Sequence, residues 1–282
     1  MPTTGPVQEM KEEVEKQMKA DLAELEGYKT KKLTFEFPTF FVPGWTGEDS
    51  SCWLKPNEKS GYTPLKEWID GITLNPEQSN YVKFTDEESK KCESFLDFGE
   101  LLKKKIWEVI KSGSVNLVGH SMGGLDITAA VINTTAPRLK VNKCITIGTP
   151  HQGASGSKLL TKIKKYSKHN EIQCINLDPS SEPIKFINTL ENRKLFLGSI
   201  EKLYIFMGLR DFVVRKGPKF DKTGMDKGYF DSKVKIVQIM SAEHTGKYGI
   251  TQDPRVVLSL AKLLSGIEIK STGNKGYIFR KK

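Results

Sequence analysis

The stretch VNLVGHSMGG, residues 115–124, passes from an apolar run directly into a group of small residues around one serine. The run that ends at Val118 has the composition of a buried strand, and the residues from Met122 onward suit a helix with small side chains. A strand followed at once by a helix needs a tight turn, and Gly119 and Gly123 leave room for it. This turn either has no chemical role or presents Ser121 as a nucleophile.

Strand-like and helical patterns alternate along most of the chain. Helical patterns run from about 88 to 111, from Met122 onward, and from about 254 to 264. The predicted strands are KLTFEFPTFFVPGW (32–45), YVKFTD (81–86), SVNLVGH (114–120), NKCITIGTP (142–150), KLYIFMG (202–208) and KVKIVQIM (233–240). This alternation predicts an α/β fold, with a mostly parallel central sheet and helices on both of its faces.

Two segments lie outside this alternation. Residues 1–28 predict an amphipathic helix, capped by Thr3 or Thr4 and ended by Gly27, that docks on the domain body. Its pairing with another chain or with a lipid surface stays open. Residues 29–282 then form the main domain, and the polar, partly helical residues 152–200 predict a cap or lid inserted between later strands, over the carboxyl edge of the sheet.

The composition excludes several classes of protein. The net charge is +10, but 34 acidic residues are interleaved with 44 Lys and Arg, which argues against nucleic-acid binding. No segment approaches the roughly 18 apolar residues of a membrane span. The absence of a signal peptide predicts a cytoplasmic protein, or a secreted one if a leader has been removed. Cys144 is predicted to be buried, and a disulfide among the other cysteines stays open: Cys52, Cys92 and Cys174.

A nucleophilic serine needs a base, and the chain has 4 histidines. His120 lies in the turn itself and is expected to point away from the Ser121 hydroxyl, and His151 suits the wall of a cleft. His169 belongs to the lysine-rich insertion. His244 follows the last parallel strand and therefore shares a sheet edge with Ser121, which makes it the predicted base.

The base in turn needs an acid that holds its tautomer. Asp211 comes a short turn after its strand and is the predicted acid. Asp221, Asp226 and Asp231 lie in the polar loop that follows and are interpreted as solvated loop acids. The resulting order of Ser, Asp and His along the chain is the order found in α/β hydrolases.

Stabilisation of an oxyanion needs two backbone N–H groups. Met122 follows the nucleophile directly and supplies one. Trp45, in the loop after the first core strand, supplies the other, and Gly44 permits the close approach of the backbone. The indole of Trp45 is expected to line the cleft, to pack in the core, or both.

Several stretches resemble the bacterial lipase and carboxylesterase branch of the α/β-hydrolase superfamily. They are FVPGWTG (41–47), NLVGHSMGGLD (116–126), TIGTPHQGA (146–154), INLDPSSEPIKFINTLE (175–191) and GLRDFVV (208–214), followed by His244. The resemblance implies hydrolysis of carboxylic esters through an acyl-enzyme. It carries the roles of nucleophile, base and acid over to Ser121, His244 and Asp211, and the role of oxyanion donor to Trp45 and Met122.

The chain departs from this branch at three points. Pro43 and Gly44 stand where many relatives have His-Gly, and Thr128 stands where an arginine often follows GGLD. No histidines are left over for the zinc site of some relatives. A calcium site near His244 would need acids such as Asp253 and stays open. No metal and no cofactor are predicted.

The sequence predicts the substrate less clearly than the reaction. His120, His151 and Trp53 are candidate pocket residues, and further aromatic residues nearby favour medium-chain acyl or aryl carboxylesters. Thioesters and phospholipid acyl esters use the same constellation, and a lipid interface is a possible partner. Transfer of the acyl group to an alcohol and a catalytically silent binding protein also stay open.

Overall fold

One sheet organises the part of the chain that the computed structural model describes: residues 6–44, 51–56, 62–154, 172, 175–211, 214, 220–240, 242–244, 249–269 and 277–279. Seven strands form it in the order β2-β1-β3-β4-β5-β6-β7. All neighbours are parallel except β6 and β7. The strands are β1 (Thr39–Val42), β2 (Ser79–Tyr81), β3 (Ser114–His120), β4 (Lys140–Ile147), β5 (Ile200–Gly208), β6 (Val234–Ile239) and β7 (Tyr277–Phe279).

Helices cover both faces of this sheet, as the alternating pattern predicts. They are α1 (Pro6–Lys31), α2 (Ser51–Leu54), α3 (Leu65–Ile72), α4 (Asp86–Lys91), α5 (Phe95–Val109), α6 (Gly123–Ile132), α7 (Glu182–Ile187), α8 (Leu190–Gly198), α9 (Lys227–Lys233) and α10 (Pro254–Leu264). Along β3, Leu117 belongs to the core cluster on one face and Val118 to that on the other. Successive strand residues point to opposite faces, so both sides of the sheet are buried. The predicted fold class is confirmed.

The segment between β1 and β3 differs from the prediction. A single helix from about 88 to 111 is wrong, because α4 ends at Lys91 and α5 begins at Phe95. Thr85 and Ser94 each begin a capping box, in which the side chain accepts from the backbone of the first turn. Because Thr85 already caps α4, the predicted strand at 81–86 is displaced, and β2 ends at Tyr81.

The first helix continues past its predicted end. Gly27 lies inside α1, which ends at Lys31 and is followed by Lys32 with φ 49°. The last turns bury Leu25 and place the Lys29 Nζ 4.8 Å from the centre of the Trp68 ring, and these contacts outweigh the roughly 1 kcal/mol that an interior glycine costs a helix. The helix packs against α3 and α10. Its predicted caps, Thr3 and Thr4, lie outside the described residues.

The predicted cap is described mainly in its second half, since residues 155–171, 173 and 174 lie outside the described residues. Ala154 N–H donates to Leu177 O at 2.8 Å, which ties the two ends of that gap together. Ile184 and Ile187 of α7 are buried in the core. Residues 177–198 are therefore anchored on the body of the domain.

The parallel strands end along one edge of the sheet, and this edge carries the polar residues of interest. Ser121 follows β3, Gly148 follows β4, Asp211 follows β5, and His244 follows β6. The short antiparallel β7 pairs with the last residues of β6 at the side of the sheet and has no counterpart in the prediction. Among the described residues, no helix has both the length and the apolarity that crossing a membrane requires.

Candidate active site

Ser121 occupies a strained turn between β3 and α6. Its φ is 53°, a left-handed value that is rare for a residue other than glycine, and its N–H donates to Ile147 O at 2.9 Å. The turn is crowded, because a Cβ added at Gly119 would lie 2.7 Å from Gly123 O. The small residues are therefore required by the close approach of backbone to backbone, and they leave the serine at the tip of the turn.

The structure brings the predicted nucleophile, base and acid into one hydrogen-bonded chain. His244 Nε2 lies 2.9 Å from Ser121 Oγ, and His244 Nδ1 lies 2.8 Å from Asp211 Oδ2. His244 is 9% exposed and Asp211 is 5% exposed, so water screens the pair weakly. With a proton on Nδ1 directed at the carboxylate, this geometry would let Nε2 accept the proton of the serine hydroxyl.

Asp211 is held by its own backbone and by its loop. Its N–H donates to Gly208 O at 3.1 Å, and its Oδ1 accepts from Val214 N–H at 3.1 Å. The second oxygen therefore faces His244. The rival acids lie elsewhere: Asp226 caps α9, and Asp221 accepts from Thr223 and pairs with Arg193. Asp231 lies inside α9, so its assignment to a loop is wrong.

The segment that carries His244 is fixed at both of its ends. Before the histidine, Ala242 O accepts from Arg210 N–H at 3.0 Å, and after it Ile250 N–H donates to Glu243 O at 2.8 Å. Arg255 Nη2 donates to Met240 O at 2.7 Å from a buried ion pair with Asp253. These contacts fix the segment that carries His244 beyond the sheet edge.

The buried pair of Asp253 and Arg255 has no counterpart in the sequence prediction. Arg255 Nε and Nη2 donate to the two carboxylate oxygens of Asp253 at 2.9 Å and 2.6 Å, and Asp253 also caps α10. The carboxylate is thus occupied by arginine, which argues against the calcium role considered for Asp253. No cluster of three or more metal-ligating side chains occurs in the described part of the chain.

Three predicted pocket residues are buried. Trp53 is 0% exposed and packs edge-on against the rings of Phe41 and His120. His151 Nε2 lies 3.0 Å from Thr146 Oγ1, and burial lowers the pKa of His151 to about 4. His120, His151 and Trp53 are thus buried side chains in the structure, and their place in the wall of a substrate pocket stays a prediction.

His120 lies directly against the base. Its ring centre is 4.9 Å from that of His244, and burial lowers the pKa of His120 to about 3, with a smaller contribution from the neighbouring His244. The prediction that His120 turns away from the serine hydroxyl did not include this ring contact. His169 lies outside the described residues.

Of the two predicted oxyanion donors, only Met122 lies among the described residues. Met122 is buried at the N-terminal cap of α6, and within the described residues its N–H makes no hydrogen bond. Trp45 lies outside the described residues. Gly44 is described, and a Cβ added there would lie 2.8 Å from Ser121 Cβ, so the backbone at Gly44 lies directly beside the serine.

The sequence and the fold were compared with known proteins. The family model of the PGAP1-like alpha/beta domain matches residues 96–242. The chain belongs to this family. The matched residues of the PGAP1-like domain include Ser121 and Asp211 and end two positions before His244. A search of curated proteins returns no match.

Solved structures with the same fold include an esterase and a phospholipase. The esterase EaEST from Exiguobacterium antarcticum is 13% identical with a TM-score of 0.50, and the match covers 82% of this chain and 92% of the esterase. Phospholipase PlaB from Legionella pneumophila is 12% identical with a TM-score of 0.52, and the match covers 85% of this chain and 62% of PlaB. These likenesses show the α/β-hydrolase fold.

Proposed function

We propose that this PGAP1-like domain hydrolyses carboxylic esters through an acyl-enzyme formed on Ser121. The observation that carries the proposal is the hydrogen-bonded chain from Ser121 Oγ through His244 to Asp211, with lengths of 2.9 Å and 2.8 Å. A serine hydroxyl is a weak nucleophile, and a histidine base at this distance activates it. The placement of these groups beyond the carboxyl ends of parallel strands is typical of sites in α/β proteins.

In the first half of the reaction Ser121 Oγ attacks the ester carbonyl while His244 Nε2 takes its proton. Asp211 keeps the Nδ1 proton in place and stabilises the imidazolium. The imidazolium then protonates the alcohol as the C–O bond of the ester breaks, which leaves the acyl group on Ser121. In the second half, water attacks this acyl group while His244 Nε2 removes a proton from the water. The bond between the acyl carbon and Ser121 Oγ then breaks, His244 returns the proton to Oγ, and the carboxylic acid leaves.

The negative charge on the tetrahedral intermediate requires donors that stand ready before the reaction. Met122 N–H is the proposed donor within the described residues, and its position at the start of α6 adds the favourable end of the helix dipole. Trp45 N–H remains the second proposed donor. The passage of Gly44 beside Ser121 supports a contribution from this loop.

Within carboxylic esters, we propose medium-chain acyl or aryl esters as substrates. We also propose residues 152–200 as a cap over the site, with α1 docked on the body of the main domain. Contact of α1 with α3 and α10 and burial of Ile184 and Ile187 support this arrangement. Phospholipid acyl esters and thioesters differ in the group that leaves and are distinguished by assay.

The test is a series of p-nitrophenyl esters from acetyl to palmitoyl, measured for wild type and Ser121→Ala below and above the concentration at which the substrate aggregates. Loss of the nucleophile is expected to lower kcat by roughly 10⁴-fold to 10⁶-fold. Ser112→Ala, in an exposed turn before β3, is the matched control and should keep wild-type rates.

A fluorophosphonate probe provides a second readout that does not depend on the choice of ester. It should label wild type and the Ser112 variant, and leave Ser121→Ala unlabelled. A jump in rate at the aggregation point indicates a cap that opens at an interface. If wild type hydrolyses no member of the ester series and resists the probe, the hydrolase proposal is wrong and a binding protein becomes the better interpretation.

A further inference from the structure

His120 is a buried histidine in contact with the base of the proposed reaction. Its ring centre lies 4.9 Å from that of His244, and the two planes are tilted by 35°. On another side the Trp53 ring meets it edge-on, with the centres 6.1 Å apart. The imidazole of His120 thus fills the space between the base and the aromatic core, and His244 cannot move in that direction without displacing it.

The backbone fixes His120 in this place. It is the last residue of β3, and its successor is Ser121 with φ 53°. Its Nδ1 would lie 3.3 Å from a Cβ added at Gly44, so the backbone at Gly44 passes close to this ring. The same turn that presents the nucleophile therefore also sets the position of the His120 ring.

His120 stays neutral beside a base that becomes charged during the reaction. Burial holds its pKa near 3, and His244 is the titratable group that faces it, since Trp53 and Gly44 carry no charge. Asp211 lies beyond His244 and is bonded to the far side of that ring. A neutral aromatic face next to an imidazolium is attractive, whereas a second charged ring would be repulsive.

We propose that His120 is a positioning residue for the base: its neutral ring supports the ring of His244 and keeps Nε2 directed at Ser121 while the imidazolium forms. The inference rests on the proposed hydrolase function. A backbone group of His244 also lies near a nitrogen of the His120 ring. The ring is proposed to act through its contact with the ring of His244, since its buried Nε2 has no hydrogen-bond partner among the described residues. A flat ring without nitrogen should therefore replace it.

The experiment compares His120→Phe and His120→Tyr, which keep a flat ring, with His120→Ala and His120→Asn, which remove it. Initial rates on the best p-nitrophenyl ester are measured between pH 5 and 9 and divided by the concentration of active sites from fluorophosphonate titration. Without the ring, kcat should fall about 10-fold or more and KM should stay within about twofold, since the contact matters for the reacting geometry rather than for binding. The ring variants should keep kcat within about threefold of wild type.

The acid limb of the pH profile provides the readout that simple packing would not move. Loss of the neutral ring removes an attraction to the imidazolium, so His244 should lose its proton more readily and the acid limb should shift to lower pH in the Ala and Asn variants. His151→Ala removes an equally buried imidazole that lies against Phe220, and its Tm reports the cost of such a deletion alone.

The outcomes separate the two proposals. Wild-type kcat per active site and an unchanged acid limb in His120→Ala overturn the positioning role and leave the hydrolase intact. Equal loss of kcat in the folded Phe, Tyr and Ala variants also overturns it, because the ring would then not be the acting group. Wild type that is inert towards every ester and towards the probe overturns the hydrolase, and the inference falls with it.

Discussion

Gly148 lies where an added methyl group would meet the acid and the base together. Its φ is +58°, and its N–H donates to Phe206 O at 2.9 Å, which ties the turn after β4 to β5. A Cβ at this position would lie 3.0 Å from Asp211 Oδ2 and 3.1 Å from His244 Nδ1, the two atoms that share the hydrogen bond. Gly148→Ala therefore perturbs the proposed triad without removing any of its members.

Gly148→Ala should have two effects, a small one on stability and a larger one on kcat. The left-handed backbone costs a residue with a Cβ roughly 1–2 kcal/mol. For a chain of this length that corresponds to a fall in Tm of about 2–4 °C per kcal/mol. The methyl group also pushes Asp211 and His244 away by several tenths of an ångström, and misplacement on the scale of 1 Å can lower a rate about 100-fold. We expect kcat to fall between about 10-fold and 100-fold.

Gly113→Ala is the matched control. Gly113 has φ +98°, and a Cβ there would meet no atom within 4 Å. Both variants should lose stability in thermal unfolding, but only Gly148→Ala should lose kcat on p-nitrophenyl esters when rates are divided by the folded fraction. Equal kcat in the two variants, or wild-type kcat in Gly148→Ala, would show that the distance between these groups does not limit the reaction.

Three further perturbations test the electrostatics of the core. Burial without a described partner raises the pKa of Asp126. The folded protein therefore keeps a proton on this carboxyl that the unfolded chain releases above about pH 3.9. In urea unfolding, Asp126→Asn should become more stable relative to wild type as pH rises, by at most about 1.4 kcal/mol per pH unit. His151, with its pKa near 4, takes up a proton on unfolding between about pH 6.5 and 4, so the free energy of unfolding falls as pH falls through that window. His151→Gln should reduce this loss of stability by about 3 kcal/mol. An unchanged slope of the free energy of unfolding against pH would contradict the prediction. Arg255→Met leaves the Asp253 carboxylate buried without its cation and should cost about 3–5 kcal/mol and lower kcat, and Asp253→Asn in the same chain should recover part of the stability.

The central sheet and its functional edge were accessible from sequence because both follow from short-range patterns. Apolar runs bounded by small and polar residues mark β3, β4, β5 and β6, and each strand end carries one residue of interest. Since the carboxyl ends of parallel strands meet along one edge, the order of Ser121, Asp211 and His244 was enough to predict that they come together.

The errors arise where capping competes with a continuous pattern. The helical period persists across Cys92–Ser94, but Ser94 and Asp97 form a capping box that starts a new helix. At Gly27 the opposite occurs, because burial of Leu25 and the contact of Lys29 with Trp68 carry α1 through a residue that usually ends helices. In both places a few side-chain contacts decide the outcome, and periodicity alone does not contain them.

The contacts that hold the site together could not be predicted from the sequence, for a different reason. Arg255 donates to Met240 O, 15 positions earlier in the sequence. Gly148 lies close to Asp211, although α7, α8 and β5 separate them in the sequence. No local pattern distinguishes such an arginine from one that caps a helix, or such a glycine from one in an ordinary turn. These long-range contacts depend on how the loops beyond the sheet edge are packed against one another.

The three described histidines near this edge show why topology was a better guide than residue type. His120 and His151 are as buried as His244, and all three were candidates for the cleft. Burial alone favours a neutral ring, and it lowers the pKa of the first two well below the range in which a general base works. His244 is distinguished by geometry: Asp211 Oδ2 lies 2.8 Å from its Nδ1. The proposed base is therefore the histidine whose strand ends beside the strand of the proposed acid.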